Sequence, residues 1–116
     1  MTWFKVDDNA HSHSKFRKCG LEAAGLWLMC GSLCGSQLTD GFVPEWFVKT
    51  WPKGLKLASL LVSAGLWERV EWDDPERENG WYFHDWDHFQ PSRKQILAGR
   101  EKTRERVAKH RDRRYE

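Results

Sequence analysis

The segment LLVSAGLWERVEW, residues 60–72, changes pattern in its middle. Leu60, Leu61, Val62 and Ala64 belong to an uncharged, helix-like run. Gly65 interrupts it, and from Leu66 to Trp72 apolar and charged residues alternate as in a half-exposed strand. A helix that stops on Ala-Gly-Leu and passes at once into a strand leaves few folds open. Gly65, which has no Cβ, suits the left-handed residue that ends a helix, and Leu66 can then fold back onto the last turn.

Upstream of this junction, the spacing predicts a helix over about 54–65 with Leu57, Leu60, Leu61 and Ala64 on its buried face. Lys56, Ser59 and Ser63 share another stripe. Pro52 and Gly54 break the chain just before it and leave room only for a tight turn. A shorter helix over about 44–50 opens on Pro44 and is expected to bury Trp46, Phe47 or Trp51. Before it, Asp40-Gly41 marks a turn, and Leu38 with Phe42-Val43 frames a very short extended segment. A stronger helix over about 21–36 puts Leu26, Met29, Cys30 and Leu33 on one face. At the N-terminus, TWFKV (2–6) suits a strand, and Ser14 suits the cap of a short helical turn through Lys18.

Downstream, residues 67–72 and 81–86 read as the two strands of a hairpin. The DDPERENG between them has the chemistry of a loop longer than two residues. From Pro91-Ser92 onward the chain reads as one long helix, whose apolar Ile96, Leu97 and Val107 are too sparse for a coiled-coil seam. Helix, extended segment, helix, tight turn, helix, hairpin is the layout of a winged helix-turn-helix. The expected fold class is therefore mainly α with a small β-hairpin (α+β). Residues 1–90 would form the winged helix-turn-helix domain, and 91–116 a basic C-terminal helix.

Charge supports that division. Residues 1–92 hold nine Lys/Arg against thirteen Asp/Glu, and residues 93–116 hold ten against four, within a net charge of +2. A mildly acidic body with a basic tail points to an acidic polymer as partner. The eight tryptophans are spread from Trp3 to Trp86, which suits core and hairpin packing. Three cysteines without a Cys-x-x-Cys read as small core residues of a reducing compartment. The apolar run Leu21 to Cys34 contains Glu22 and is too short to cross a bilayer, so no membrane role is expected. No basic-then-apolar leader opens the chain, and the expected location is the cytoplasm of a host cell.

The stretches WFKVDDNAHSHSKFRKCG, QLTDGFVPEWF, VSAGLWERV, YFHDW and QPSRKQ, in this order, resemble the N-terminal winged-helix domain of a group of actinobacterial phage and prophage proteins. These are described as helix-turn-helix or replication-initiation-like proteins, similar in layout to phage replisome-organiser and DnaD-like N-terminal domains. The resemblance covers most of residues 3–95. It implies DNA binding without identifying the DNA or the process; the role expected is replication or transcription control.

In a helix-turn-helix the helix after the turn lies in the major groove. Its polar face here is Lys53, Lys56, Ser59 and Ser63, with Lys49 and Thr50 of the preceding helix near the backbone. That face has no Arg, Asn or Gln for bidentate base reading, so strong sequence specificity is not expected from it. The tail offers Arg93, Lys94, Arg100, Lys102, Arg104, Arg106, Lys109, Arg111, Arg113 and Arg114 to phosphates. The expected partner is double-stranded DNA, with a homodimer able to span two half-sites. The hairpin loop argues differently: Glu71, Asp73, Asp74, Glu76 and Glu78 stand against one Arg77. A loop like that would be repelled by phosphate, so the alternative is a module that binds a host or phage protein through this loop and exposed aromatics.

Other chemistry is not expected. His84-Asp85-x-Asp87-His88 resembles a metal cluster but has no helical presentation, and a hydrogen-bonding role where the hairpin leaves the core fits it better. Cys30 and Cys34 share a helix face without two further ligands. There is no nucleophile elbow and no glycine-rich phosphate loop, so no enzyme and no cofactor is expected.

Overall fold

The computed structural model describes the backbone of residues 3–115 and the side chains of residues 3–111. The fold is mainly helical, with a small three-stranded antiparallel sheet and a long C-terminal helix. After a 3-10 turn at Ala10–Ser12 come α1 (Ser14–Cys19), α2 (Leu21–Gln37), β1 (Phe42–Pro44), α3 (Glu45–Lys49) and α4 (Gly54–Ser63). Then follow β2 (Trp67–Val70), β3 (Gly80–Phe83), α5 (Trp86–Phe89) and α6 (Arg93–Tyr115).

The helix-to-strand junction is built by local chemistry. Gly65 has φ +82°, and its N–H donates to the Val62 carbonyl at 3.0 Å. The Leu66 N–H reaches back to the Leu61 carbonyl at 2.9 Å. These are the two crossed bonds of a Schellman cap, and Leu66 packs partly buried against the core. The next residue, Trp67, starts β2 with 1% of its surface exposed.

The extended segment after α2 is a third strand. β1 pairs with β3 in antiparallel register, Val43 opposite Trp81 and Pro44 opposite Gly80. β2 flanks β3 on the other side, with Trp67 opposite Phe83, so the order is β1-β3-β2. Both hairpin strands are shorter than the alternation predicts. β2 ends at Val70, and β3 ends at Phe83 because Asp85 turns left-handed (φ +56°) into α5.

The core joins one face of α2 (Ala23, Leu26, Cys30, Cys34) to Leu57, Ala58 and Leu61 of α4 and to the aromatics of the sheet. Phe83 is the meeting point: its ring centroid lies 5.3 Å from that of Trp86, 5.5 Å from Trp67, 5.8 Å from Trp27 and 6.0 Å from Phe4. Such edge-on and tilted pairs add to simple burial. Several positions expected inside are outside. Met29 and Leu60 are exposed, and of Trp46, Phe47 and Trp51 only Phe47 packs partly buried on the core, while the smaller Ala23, Ala58 and Val48 are buried. Close approach of the helices favours small side chains between them, and the large ones lie at the margins.

Two further expectations give way. Residues 3–7 form no strand. The Gln90 side chain substitutes for a sheet neighbour: its Oε1 accepts from the Lys5 N–H at 3.0 Å and its Nε2 donates to the Lys5 carbonyl at 2.7 Å. The cap of α1 is His13, whose Nδ1 accepts from the Lys15 N–H at 3.2 Å, and Ser14 is already the first helical residue.

α6 begins with a capping box. Ser92 Oγ accepts from the Gln95 N–H at 3.1 Å, and Gln95 Oε1 accepts from the Ser92 N–H at 2.8 Å. Asp40 Oδ1 takes the Arg93 N–H at 2.6 Å and ties this end to the body. Ile96 is half-buried, and every residue from Leu97 to Arg111 is exposed. Among the described residues no helix is long and apolar enough to cross a membrane.

Candidate nucleic-acid interface

The turn between α3 and α4 is set by one glycine. A Cβ at Gly54 would collide with the Val48 carbonyl oxygen, so only glycine lets the two helices approach this closely. The turn is closed by the Trp51 N–H on the Val48 carbonyl (3.2 Å) and the Gly54 N–H on the Trp51 carbonyl (3.0 Å). Lys53, at the N-cap, adopts the left-handed φ of +58° and accepts from the Leu57 N–H.

Leu57, Ala58 and Leu61 face the core, which turns Leu55, Lys56, Ser59, Leu60 and Ser63 outward. At 100° per residue, Ser59, Ser63 and Lys56 occupy the middle of that outer face and the two leucines its edges. The Ser59 hydroxyl donates to the Lys56 carbonyl at 2.7 Å, and the Thr50 hydroxyl donates to the Phe47 carbonyl. Both hydroxyls can still accept from a ligand. Lys49 lies 3.4 Å from Glu45 and Lys53 lies 3.7 Å from Glu22. Both lysines are exposed, as is Glu22, whereas Glu45 is half-buried; such surface pairs are worth at most about 1 kcal/mol each, and a phosphate can displace them. Among the described residues no carboxylate lies within 4.0 Å of Lys56.

The far end of α4 carries two cations that local sequence does not reveal. Lys18 Nζ donates to the Ser63 carbonyl and Lys15 Nζ to the Gly65 carbonyl, each at 3.4 Å. Lys18 thus satisfies an open carbonyl of the last turn and Lys15 the carbonyl of the residue just past the cap, at a helix end where positive charge is favourable. Contacts between residues 45 and 50 positions apart leave no periodic trace.

The acidic loop leans on the start of α3. Glu78 Oε1 accepts from the Trp46 N–H at 3.0 Å, and the Asn79 carbonyl accepts from the Glu45 N–H at 2.9 Å. Two free N–H groups of α3 are thereby satisfied by the hairpin. Arg77 is stacked over the Trp72 ring at 3.5 Å. Glu45 binds Arg69 at 3.2 Å as well as Lys49. Burial alone would raise its pKa, but the hydrogen bonds and charges of Arg69 and then Lys49 outweigh that and hold the carboxyl below its ordinary range.

On α6, Arg93, Lys94, Arg100, Lys102, Arg104, Arg106, Lys109 and Arg111 are all exposed. The side chains of Arg113 and Arg114 lie outside the described residues. Lys102, Arg106 and Lys109 recur at i, i+4 and i+7 and share one face. Among the described residues α6 meets the body through its first turn only, so this cationic face and the outer face of α4 are separate surfaces.

The remaining reactive groups make the following contacts. His84 Nε2 lies 3.0 Å from Asp85 Oδ2, and its backbone N–H bonds to the Leu66 carbonyl at 2.9 Å where the hairpin leaves the core. Among the described residues no three His, Cys, Asp or Glu side chains converge as a metal-ligand set. Cys19, Cys30 and Cys34 are free and buried, and burial raises each thiol, Cys34 to about 11. A cleft of about 400 Å³ lies beside the N-terminal segment, walled by Phe4, Phe16, Trp27, Phe83 and Trp86. The side chains that line it include no hydroxyl or thiol nucleophile. Comparison of the chain with protein families, curated proteins and solved structures gave no match.

Proposed function

We propose that this chain is a winged helix-turn-helix protein that binds double-stranded DNA in phage-type replication or transcription control. The observation that carries the reading is the run from α3 through the Gly54 turn and α4 into a hairpin that pairs with β1 in the order β1-β3-β2. That topology, with the sharp cap at Gly65, is what such a domain requires. The resemblance of residues 3–95 to phage helix-turn-helix proteins supports the same reading. In it, α4 enters the major groove with Ser59 and Ser63 allowing close approach, and Lys53 and Lys56 on phosphate or guanine. Lys49 and Thr50 meet the backbone. The cations of α6 neutralise further phosphates, giving affinity that is mostly insensitive to sequence.

Binding of the full chain to random duplex DNA at several salt concentrations tests this. Affinity should fall steeply with salt, the logarithmic slope losing about 0.9 for each phosphate-bound cation removed. Lys53→Glu with Lys56→Glu should abolish the contribution of the body. Unchanged affinity in that variant would remove α4 as the contact.

A second reading is favoured by the exposed, acidic hairpin loop: a module that binds a host or phage protein. Asp73→Lys, Asp74→Lys and Glu76→Lys together would destroy such capture while leaving the fold intact. Glu78 is left out of that set because it caps α3.

A further inference from the structure

Trp46, Phe47 and Trp51 form a ladder on α3 and the turn after it. The Trp46 and Phe47 rings meet edge-on with centroids 5.7 Å apart, and Phe47 and Trp51 do so at 6.0 Å. Trp46 is 56% exposed and Trp51 38%, although the core lies one helix face away. Cations are interleaved with these rings in the sequence, Lys49 between the two tryptophans and Lys53 just beyond them. The carboxylates beside them are already engaged: Glu45 by Arg69, and Glu78 by the α3 backbone. What the ladder offers outward is therefore aromatic surface flanked by two exposed lysines, each beside a carboxylate that a phosphate would have to displace.

We propose that this ladder is a second nucleic-acid site, taking the unpaired bases of single-stranded DNA beside the duplex-binding face. The inference rests on the DNA-binding reading and extends it. A duplex presents only base edges and phosphates to a protein, so exposed indoles have nothing there to stack on. A single strand exposes base faces, and aromatic rings with nearby cations are the usual way of holding them without regard to sequence. The edge-on packing on Phe47 holds both indoles in place before a strand arrives, which lowers the entropy lost on stacking. Displacing Glu45 from Lys49 or Glu22 from Lys53 costs little, because both lysines are exposed. A protein with both sites holds duplex and melted strand at their junction.

The test uses the full chain, a short oligothymidylate and a random duplex of equal length, with binding read by fluorescence anisotropy of the labelled DNA. Trp46→Ala with Trp51→Ala should weaken oligothymidylate binding about tenfold or more and leave duplex binding within about twofold. Trp46→Phe with Trp51→Phe, which keeps a stacking ring at each position, should restore most of the loss. Circular dichroism establishes that the variants are folded. An equal loss on both DNAs overturns the proposal, and so does duplex binding with no single-strand binding, which leaves the DNA-binding reading standing. Binding of neither DNA removes both. A change in self-association of the alanine variant, with DNA binding unaltered, would make the ladder a protein interface and overturn the proposal.

Discussion

The body and α6 are opposite solutions to burial. In the body, Trp67, Trp81, Phe83 and Trp86 are nearly shut off from water, and the large rings touch one another through Phe83. In α6, every side chain from Leu97 to Arg111 is exposed, and among the described residues nothing of the body buries the helix beyond its first turn. The body is folded by tertiary contact. α6 is held by a capping box, by Asp40, by helix propensity and by local contacts along its own surface such as the Glu101–Arg104 pair. Substitutions should therefore change stability in the body and charge in α6, and the largest test is to exchange the two. Trp67→Ala should cost about 4 kcal/mol in a denaturation experiment, whereas Val107→Ala should stay within about 0.5 kcal/mol. Comparable losses would mean that α6 packs on the body in solution.

Glycine gives the next contrast. Gly54→Ala places a methyl against the Val48 carbonyl, a backbone atom that cannot move aside without parting α3 from α4. The expected cost is about 3 kcal/mol, read from the denaturation midpoint. If the midpoint stays put, the turn is looser than its geometry indicates, and the fixed angle between the helices has to be given up with it.

How much of this was legible depends on whether the deciding chemistry is local. The Gly65 junction could be read directly, because a cap is made by residues within one turn and only glycine meets the left-handed φ cheaply. The turn at Gly54 and the start of α6 at Ser92 were readable for the same reason. Which face of α4 points outward followed from its period for Lys56, Ser59 and Ser63, though Leu60, placed inside by the same period, is exposed and Ala58 is buried. In α2 and α3 the period was ambiguous, since apolar residues occur on more than one face. Large residues looked like core there, yet Val48 and Ala23 took the inside and Trp46 and Met29 did not. The N-terminal segment was beyond reach. It reads as a strand, but its partner is the amide of Gln90, 85 positions away. The cations at the end of α4 and the cap that Glu78 gives α3 were hidden likewise. The candidate groove face was thus open to sequence reading, while the aromatic ladder beside it needed the exposure of two tryptophans to be seen.

The thiols sharpen the contrast through pH. Burial raises Cys34 from 9.0 to about 11, so the native state resists its ionisation. A folded-state value above the unfolded one means that the stabilisation is complete below pH 9.0 and is lost as pH climbs through about 11. The melting temperature of the body should fall across that window, and Cys34→Ala should flatten part of the fall. α6 has no cysteine, and its helicity should not follow the same curve.

The smallest effect expected has the opposite sign. Gly99 lies inside α6, and a Cβ there would meet nothing within 4 Å. Gly99→Ala removes the conformational freedom that glycine brings to the unfolded chain and should favour the helix by about 0.5–1 kcal/mol. Far-UV circular dichroism should show more helix, while the denaturation midpoint of the tryptophan-rich body, followed by fluorescence, stays where it was. A midpoint that rises with the helicity would show that the two parts unfold together. A helix stiffened without moving the body would place the gain in α6 alone.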